Sequence, residues 1–335
     1  MSSATKPTRG ATRDDVAKLA GVSSAVVSYV VNDGPRPVAE ATRAKVLAAI
    51  DKLGYRPNAA ARSLMTGRSD LVGLIVPDVR NPYFSALAQA VEVEARAEGV
   101  NLVLAQGTTG HMAPLIESLS GHLVAGIITS SIPEPEAIEA LVRGRVNVVR
   151  LSIVPPGVDA TSVVPDFHGG TIKAVRHLIE VHGHRRIALV AGSDEPGVAG
   201  IMDERERAWR DVMITAGFAT DAVIRVGWSS AGGRDAASRL VHDLPDCTAA
   251  FTMSDQQAIG LISGLNELHK VVPGDIAITS FDGSPEAEFT IPPLTTASVP
   301  MADMAKAAVK QLLHGGRRGR IFPIELIVRR SCGCP

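Results

Sequence analysis

The stretch DDVAKLAGVSSAVVSYVVN, residues 14–32, contains the signals of two short helices joined by a glycine-containing turn. Thr12 is a suitable N-cap for the first helix, and Ser23 is a suitable N-cap for the second. This arrangement is typical of a helix-turn-helix, and residues 40–53 predict a third helix. Each helix has an apolar stripe predicted to face inward: Val16, Leu19 and Ala20; Val27, Val30 and Val31; Val46, Leu47 and Ile50.

The outward face of the second helix carries small and hydroxyl side chains, which can approach base edges in a major groove. The candidates for this contact are Ser24, Ala25, Ser28 and Tyr29. Candidate phosphate contacts, which set the register on DNA without reading its sequence, are Thr12, Ser23, Ser28 and Asn32. A plain three-helix bundle that binds no DNA is the alternative at this point.

Charge is distributed unevenly along the 335 residues. Residues 1–69 hold eleven Lys or Arg and five Asp or Glu, a net charge of +6, so the chain total of −1 leaves −7 for the remainder. The asymmetry indicates a nucleic acid or acidic surface as partner of the basic part, or else a solvated basic face. Three cysteines, no secretory signal and no membrane-length apolar run favour a cytoplasmic protein without a membrane partner.

From about residue 70, short apolar runs alternate with amphipathic helical stretches such as residues 83–98. Continuous apolar strands separated by helices predict an α/β body of parallel sheets flanked by helices, behind the all-α head. The size of this body favours two lobes. The predicted strands are residues 71–77, 100–105, 124–129, 146–151, 186–192, 222–227, 248–254 and 276–281.

Between head and body lies GYRPNAAARSLMTG, residues 54–67. Pro57 ends the preceding helix and Asn58 can cap a new one. The new helix would be only about seven residues long, which is marginal in water unless it docks on something. A flexible linker is the alternative.

Taken together, these segments resemble the lactose-repressor/galactose-repressor (LacI/GalR) family of bacterial transcription regulators. The resemblance implies a two-lobed body similar to periplasmic sugar-binding proteins. It also implies a homodimeric repressor on a palindromic operator, controlled by a small effector in the cleft between the lobes. The segments that carry the resemblance are residues 14–32, 42–64, 71–84, 177–192, 253–260, 272–283, 291–300 and 325–333.

The resemblance also implies roles for residues 58–64 as a hinge helix that folds on operator DNA. Leu64 matches the leucine that wedges into a central base step, and Ala61 matches the position where two hinge helices pack closely. Arg62 is placed for a phosphate. Two positions depart from the family pattern, since Val26 stands for a threonine and Tyr29 for a frequent arginine. The valine predicts the loss of one phosphate contact, and the tyrosine predicts an altered base preference.

Seven residues of the body are candidate effector contacts, because they fall at strand ends or match ligand-binding positions of the family. An aromatic plate with a guanidinium and a carboxylate is a combination suited to a sugar or sugar derivative. Alternatives are a core role for Phe84, a structural Arg205–Asp282 pair, a nucleobase effector, no effector, or a sugar-binding transport protein. The candidates are Phe84, Ser130, Ser131, Asp166, Arg205, Trp228 and Asp282.

The predicted domains are a head over residues 1–56, a hinge over 57–69 and an effector-binding and dimerisation body over 70–335. The first lobe is expected at about 70–165 and 296–325, and the second at about 166–295 and 326–335. No nucleophile elbow, P-loop or dinucleotide fingerprint appears, so the sequence predicts neither an enzyme nor a cofactor. The pairs His182/His184 and Cys332/Cys334 lack a complementary pair at usual spacing, so no metal site is predicted.

Overall fold

The chain divides into two compact units between Arg68 and Ser69. Within its described residues, the first unit contains three helices: α1 (Arg13–Ala20), α2 (Ser24–Val31) and α3 (Glu40–Leu53). The computed structural model describes residues 11–31, 34, 36–56, 69–107, 110–121, 124–131, 135–144, 146–151, 161–193, 203–316 and 319–335.

The core of the first unit is smaller than the sequence pattern predicts. Leu19 is 46% exposed and Leu47 is 49% exposed, so the prediction that they face inward is wrong. The buried faces of α1 and α3 instead include Ala17 and Ala49, whose small side chains let short helices pack closely. The buried apolar residues here are Val16, Ala17, Val27, Val30, Val46 and Ala49.

The second unit alternates strands and helices, as the sequence predicts. Its strands are β1 (Leu71–Val76), β2 (Asn101–Gln106), β3 (Gly126–Thr129), β4 (Val148–Arg150), β5 (Thr161–Pro165), β6 (Ile187–Gly192), β7 (Val223–Val226), β8 (Ala249–Thr252), β9 (Ala277–Asp282), β10 (Thr295–Ser298), β11 (Arg320–Phe322) and β12 (Glu325–Ile327). Its helices are α4 (Pro82–Ala97), α5 (Met112–Gly121), α6 (Pro135–Gly144), α7 (Phe167–Arg176), α8 (Glu204–Thr215), α9 (Ser230–Asp243), α10 (Asp255–Glu267) and α11 (Met301–His314). Short 3-10 turns span Pro285–Glu288 and Arg330–Cys332, and a π-helical turn, His177–Val181, follows α7.

Two six-stranded sheets form two lobes. The first has the order β11-β5-β4-β3-β1-β2, and the second has the order β12-β10-β9-β8-β6-β7. All pairs are parallel except β10 with β12, so the predicted α/β class with parallel sheets is confirmed. All eight predicted strands are present, and β5, β10, β11 and β12 are additional. The chain returns to the first lobe only after β10, because that strand pairs with β9, whereas the sequence placed the return near residue 296.

The lobes share one continuous apolar cluster that includes Leu87 and Met304 from the first lobe and Trp209 and Phe281 from the second. Smaller clusters fill the outer side of each lobe. Because the strands of each sheet are parallel apart from β12, their carboxyl ends meet along one edge, where ligands of such folds bind. Among the helices that the structure describes, none is both long and apolar enough to cross a bilayer.

Candidate functional site

The start of the first helix is held by a reciprocal cap. The Thr12 hydroxyl accepts a hydrogen bond from the Asp15 amide, and the Asp15 carboxylate accepts one from the Thr12 amide at 2.8 Å. Ser24 donates to the Asp14 carboxylate at 2.5 Å, and this bond ties α2 to α1 across the turn. Ser23 caps α2 weakly, through the Val26 amide at 3.4 Å. Three of the predicted DNA contacts therefore also hold the helix-turn-helix in shape.

The outward face of α2 is as the sequence predicts. Ala25 is exposed, and Ser28 and Tyr29 are partly exposed on the side away from the buried Val27 and Val30. Small residues followed by a tyrosine are therefore available to a groove of DNA. The remaining predicted DNA contacts, Asn32, Asn58, Ala61, Arg62 and Leu64, lie outside the described residues.

In the second lobe, Arg205 is held in a fixed orientation at the start of α8. Its Nε and one terminal nitrogen donate to the two carboxylate oxygens of Asp203 at 3.0 and 2.8 Å, and the other terminal nitrogen donates to the Met253 carbonyl at 2.7 Å. A guanidinium has five N–H groups, so two have no partner among the described residues. Burial acts to lower the pKa of Arg205, but the Asp203 carboxylate outweighs it and the pKa is raised.

Aromatic rings surround this guanidinium. The Arg205 Cζ lies 4.8 Å from the Trp228 ring centroid, 5.1 Å from that of Phe167 and 5.5 Å from that of Phe281. Phe167 and Phe281 are themselves stacked, with centroids 5.6 Å apart. Aromatic rings at these distances attract a cation and restrict the orientation of its plane. The two N–H groups of Arg205 that have no partner among the described residues therefore keep a fixed direction.

Asp282, the last residue of β9, has a strained backbone conformation. It is not a glycine, yet its φ is 125°, and it is only 7% exposed. One carboxylate oxygen accepts from the Asp255 amide at 3.3 Å, and the other accepts nothing from the residues that the structure describes. Burial, together with the neighbouring Asp255 charge, raises the pKa of Asp282 well above its ordinary value. Strain and an unused acceptor at one position are typical of a binding site.

Asp255 supports this arrangement from behind. It is 1% exposed, and its carboxylate accepts from the Ser284 amide and the Thr296 hydroxyl, both at 2.7 Å. Burial raises its pKa. Asp255 therefore fixes two segments that follow Asp282 in the chain: the start of the 3-10 turn after β9, through Ser284, and strand β10, through Thr296.

The first lobe contributes Tyr83 and Phe84, at the start of α4, whose rings meet edge to face with centroids 5.1 Å apart. Burial and the negative charge of Asp282 raise the pKa of Tyr83, so this phenol shares an environment with the second-lobe carboxylate. The Ser130 hydroxyl is buried, and no described residue bonds it. Ser131, in contrast, is hydrogen-bonded to Thr129 and the Gly107 carbonyl.

Two predictions about the site change, and five residues join it. Arg205 takes Asp203 as its carboxylate partner, so the predicted alternative of an Arg205–Asp282 structural pair is wrong. Asp166 caps α7 by accepting from the Gly169 amide at 2.8 Å, so one of its oxygens has a structural role. The residues absent from the sequence-based set are Asp203, Asp255, Tyr83, Phe167 and Phe281. The one signal for Asp203 was its position directly before an acidic helix start, where it is the N-cap of α8.

Trp228 packs directly against Gly192, the last residue of β6. A Cβ at position 192 would stand 2.0–2.4 Å from three atoms of the indole, which is an impossible approach. We expect Gly192→Ala to displace Trp228 from Arg205, shift the tryptophan emission spectrum and weaken effector binding at least about tenfold.

Gly227→Ala is the matched control for this substitution. Its Cβ would meet only the Ser229 hydroxyl, at 3.8 Å, so the spectrum and the binding should stay unchanged. An emission spectrum of Gly192→Ala identical to that of the unmodified protein would show that the Trp228 indole does not contact position 192.

Comparisons with known proteins agree on the family. The model "Bacterial regulatory proteins, lacI family" matches residues 12–58, and the model "Periplasmic binding protein-like domain" matches residues 175–332. The chain is 36% identical over 336 residues to the HTH-type transcriptional regulator MalR of Streptomyces coelicolor, covering 95% of each chain. It is 32% identical over 308 residues to GalR of Escherichia coli K12, covering 90% of this chain and 88% of that protein.

Solved structures give the same result for the whole fold. A lac repressor dimer bound to operator and an anti-inducer superposes with a TM-score of 0.85 at 26% identity, covering 97% of this chain and 99% of that one. A complex of the transcriptional regulator CelR with cellobiose superposes with a TM-score of 0.69 at 30% identity, covering 96% and 99%. The chain therefore belongs to the LacI family of bacterial regulatory proteins, and it is a DNA-binding transcriptional regulator rather than an enzyme.

Proposed function

We propose that this regulator is a homodimeric repressor of a palindromic operator, and that a small neutral carbohydrate in the cleft between the lobes controls it. The domain limits are proposed as a head over residues 1–56, a hinge over 57–69 and an effector-binding and dimerisation body over 70–335. The observation that carries the effector proposal is the fixed Arg205 guanidinium beside Asp282. Two Arg205 N–H groups and one Asp282 carboxylate oxygen have no hydrogen-bond partner among the described residues, and they match the donor and acceptor pattern of adjacent sugar hydroxyls.

The aromatic side of the site fits the same ligand. Trp228 is partly buried against Gly192, and Tyr83 and Phe84 stand at the first-lobe edge. Pyranose rings have apolar faces that stack on such plates, while their hydroxyls point sideways to polar groups. Ser130, Phe84, Trp228, Arg205 and Asp282 are therefore the proposed contacts. Ser131 and Asp166 are placed at the same edges, but their side chains are already hydrogen-bonded.

The charged side chains of the site favour a neutral sugar over a phosphorylated one. In the second lobe, three carboxylates, Asp203, Asp255 and Asp282, accompany the guanidinium of Arg205, and the first lobe adds the buried guanidinium of Arg150 at the end of β4. A phosphorylated sugar would bring further negative charge into a site that already holds an excess of it, and the desolvation cost would be high. A neutral saccharide is therefore favoured over a sugar phosphate. The complex of the relative CelR with cellobiose supports the same class.

The test is a thermal-shift screen of the full-length protein with neutral mono- and disaccharides, sugar phosphates and nucleobases. A ligand at 100 times its Kd should stabilise the folded state by about 2.7 kcal/mol, or roughly 5 °C or more in Tm. We expect a neutral saccharide to give such a shift, and Trp228→Ala to lose it. A shift produced only by nucleobases or only by sugar phosphates would contradict the proposed ligand class.

The operator part of the proposal follows from the head. The +6 charge of residues 1–69 and the outward face of α2 suit a major groove, and a solved relative is a dimer bound to operator. A two-fold dimer requires two half-sites related by the same symmetry. The location that fits this role is the cytoplasm.

A further inference from the structure

Two histidines and two cysteines of the second lobe lie close together, away from the residues that surround Arg205. His177 belongs to the π-helical turn after α7 and His182 follows that turn, while Cys332 and Cys334 come from the last residues of the chain. Their ligating atoms all lie within 4.8 Å of one another. Cys332 is 1% exposed, and the other three side chains are partly buried.

The π-helical turn explains how two histidines five residues apart can share one face. In an α-helix with 3.6 residues per turn, such residues point about 140° apart. In a π-helix the hydrogen bonds join residues i and i+5, so these residues lie nearly above each other. The imidazoles of His177 and His182 accordingly lie with their Nε2 atoms 3.3 Å apart.

Gly333 brings the two cysteines to the same point. Its φ of 106° reverses the chain between Cys332 and Cys334, and a Cβ there would lie 3.1 Å from the His182 Nδ1. The turn is anchored, because the Ser331 hydroxyl donates to the Ile278 carbonyl at 2.7 Å and the Ser331 amide donates to the Pro293 carbonyl at 3.0 Å. The four groups are therefore held by two separate parts of the chain.

Four of the six separations between the ligating atoms match those of a tetrahedral metal centre, and the other two lie within 4.8 Å. Zinc bonds of about 2.05 Å to nitrogen and 2.3 Å to sulfur, at tetrahedral angles, place N···N about 3.3 Å and N···S about 3.6 Å apart. Here the two Nε2 atoms are 3.3 Å apart, and the His177 Nε2 lies 3.3 Å from the Cys332 Sγ and 3.6 Å from the Cys334 Sγ. The Cys334 Sγ lies 3.5 Å from the His182 Nε2.

We propose that His177, His182, Cys332 and Cys334 bind one zinc ion. Two imidazoles and two thiolates are a typical structural zinc set, and four protein ligands leave no open position for chemistry. The Thr295 hydroxyl, 3.1 Å from the Cys332 Sγ, can donate to the thiolate from outside the ligand set.

The ion would fasten the carboxyl-terminal turn to the π-helical turn after α7. Residues 325–327 form the edge strand β12, so this link also secures the outer edge of the second sheet. His184 is not part of the set, because its Nδ1 is hydrogen-bonded to the Thr248 hydroxyl at 2.8 Å. The proposal is independent of the effector and of DNA.

The test uses the full-length, tag-free protein purified under reducing conditions. We expect elemental analysis to find about one zinc per protomer, and cobalt substitution to give the visible absorption bands of a tetrahedral thiolate centre. Chelation should lower Tm by roughly 5–10 °C. His182→Asn and Cys334→Ser should each lose the metal and the cobalt spectrum. Both positions are partly exposed, so these variants should still fold.

Cys247→Ser is the matched control, since this buried cysteine lies before β8 and outside the set, and it should retain one zinc. The proposal is overturned if reduced protein exposed to zinc and then dialysed holds none. It is equally overturned if the two ligand variants bind as much as the control, or if the freshly purified protein carries a Cys332–Cys334 disulfide that accounts for both thiols.

Discussion

Replacing Asp282 with asparagine is expected to stabilise the folded protein while removing its response to effector. The carboxylate is buried beside Asp255, and its pKa is raised well above the ordinary value by that burial and that neighbour. Asparagine keeps the size and an acceptor for the Asp255 amide but carries no charge. We expect a gain of about 1–2 kcal/mol in the free energy of unfolding, together with a 10- to 100-fold loss of effector affinity.

The pH dependence of this gain has a definite sign. Because the pKa of Asp282 is raised in the folded state, the folded protein keeps a proton that the unfolded chain releases. The stability of the unmodified protein therefore falls as pH rises above the ordinary aspartate range, until the folded-state pKa is passed. Asparagine does not titrate, so the stability difference should be small near pH 4 and should widen as pH increases.

Denaturant unfolding of both proteins between pH 4 and 8 measures this difference. Asp243→Asn removes the same charge from an exposed position on α9 and serves as the control, with no change expected. A stability difference that is constant over this range would contradict the assignment of Asp282 as a buried, destabilising carboxylate. Unchanged effector affinity in Asp282→Asn would contradict its proposed contact with the ligand.

Leu64→Ala is expected to weaken operator binding far more than non-specific DNA binding. The family resemblance makes Leu64 the side chain that wedges into the central base step, and an alanine is too short to unstack it. Phosphate contacts from basic residues are unaffected by this change, so non-specific affinity should remain. We expect a loss of about 100-fold on the operator, which corresponds to roughly 2.8 kcal/mol.

Fluorescence anisotropy with a selected operator and with a scrambled duplex, at one salt concentration, separates the two effects. Leu64→Met keeps the apolar bulk and should retain most of the operator affinity. An equal loss on both duplexes would show that Leu64 acts through folding or packing and not as a wedge.

Much of the fold follows from the sequence because buried parallel strands are continuous apolar runs. All eight predicted strands are present, whereas β11 and β12 are three-residue edge strands that are too short and too exposed to show such a pattern. In the helical head, the spacing of apolar residues identified the helices but not which face of each helix is buried. Leu19 and Leu47 have the spacing of core residues, yet the close contact between helices takes Ala17 and Ala49.

The site could be predicted only in part, because the side chains that contact one another there come from different strands and helices. The resemblance indicated Arg205, Trp228 and Asp282, and the structure brings Arg205 and Trp228 together. It could not indicate that Asp203 clamps the guanidinium, since spacing alone does not distinguish Asp203 from Asp282 as its partner. The histidine–cysteine cluster shows the same limit. The sequence analysis paired His182 with His184 and predicted no metal site, whereas the π-helical turn places His177 beside His182.

The central claim is that a saccharide held by Arg205, Asp282 and Trp228 changes the affinity of the head for its operator. The most direct test is the operator Kd of the full-length protein, measured by anisotropy with and without the saccharide that stabilises it, in the unmodified protein and in Asp282→Asn. We expect the saccharide to change the Kd of the unmodified protein by about 5- to 150-fold and to leave that of Asp282→Asn unchanged. A saccharide that raises Tm but leaves the operator Kd of the unmodified protein unaltered would contradict the account.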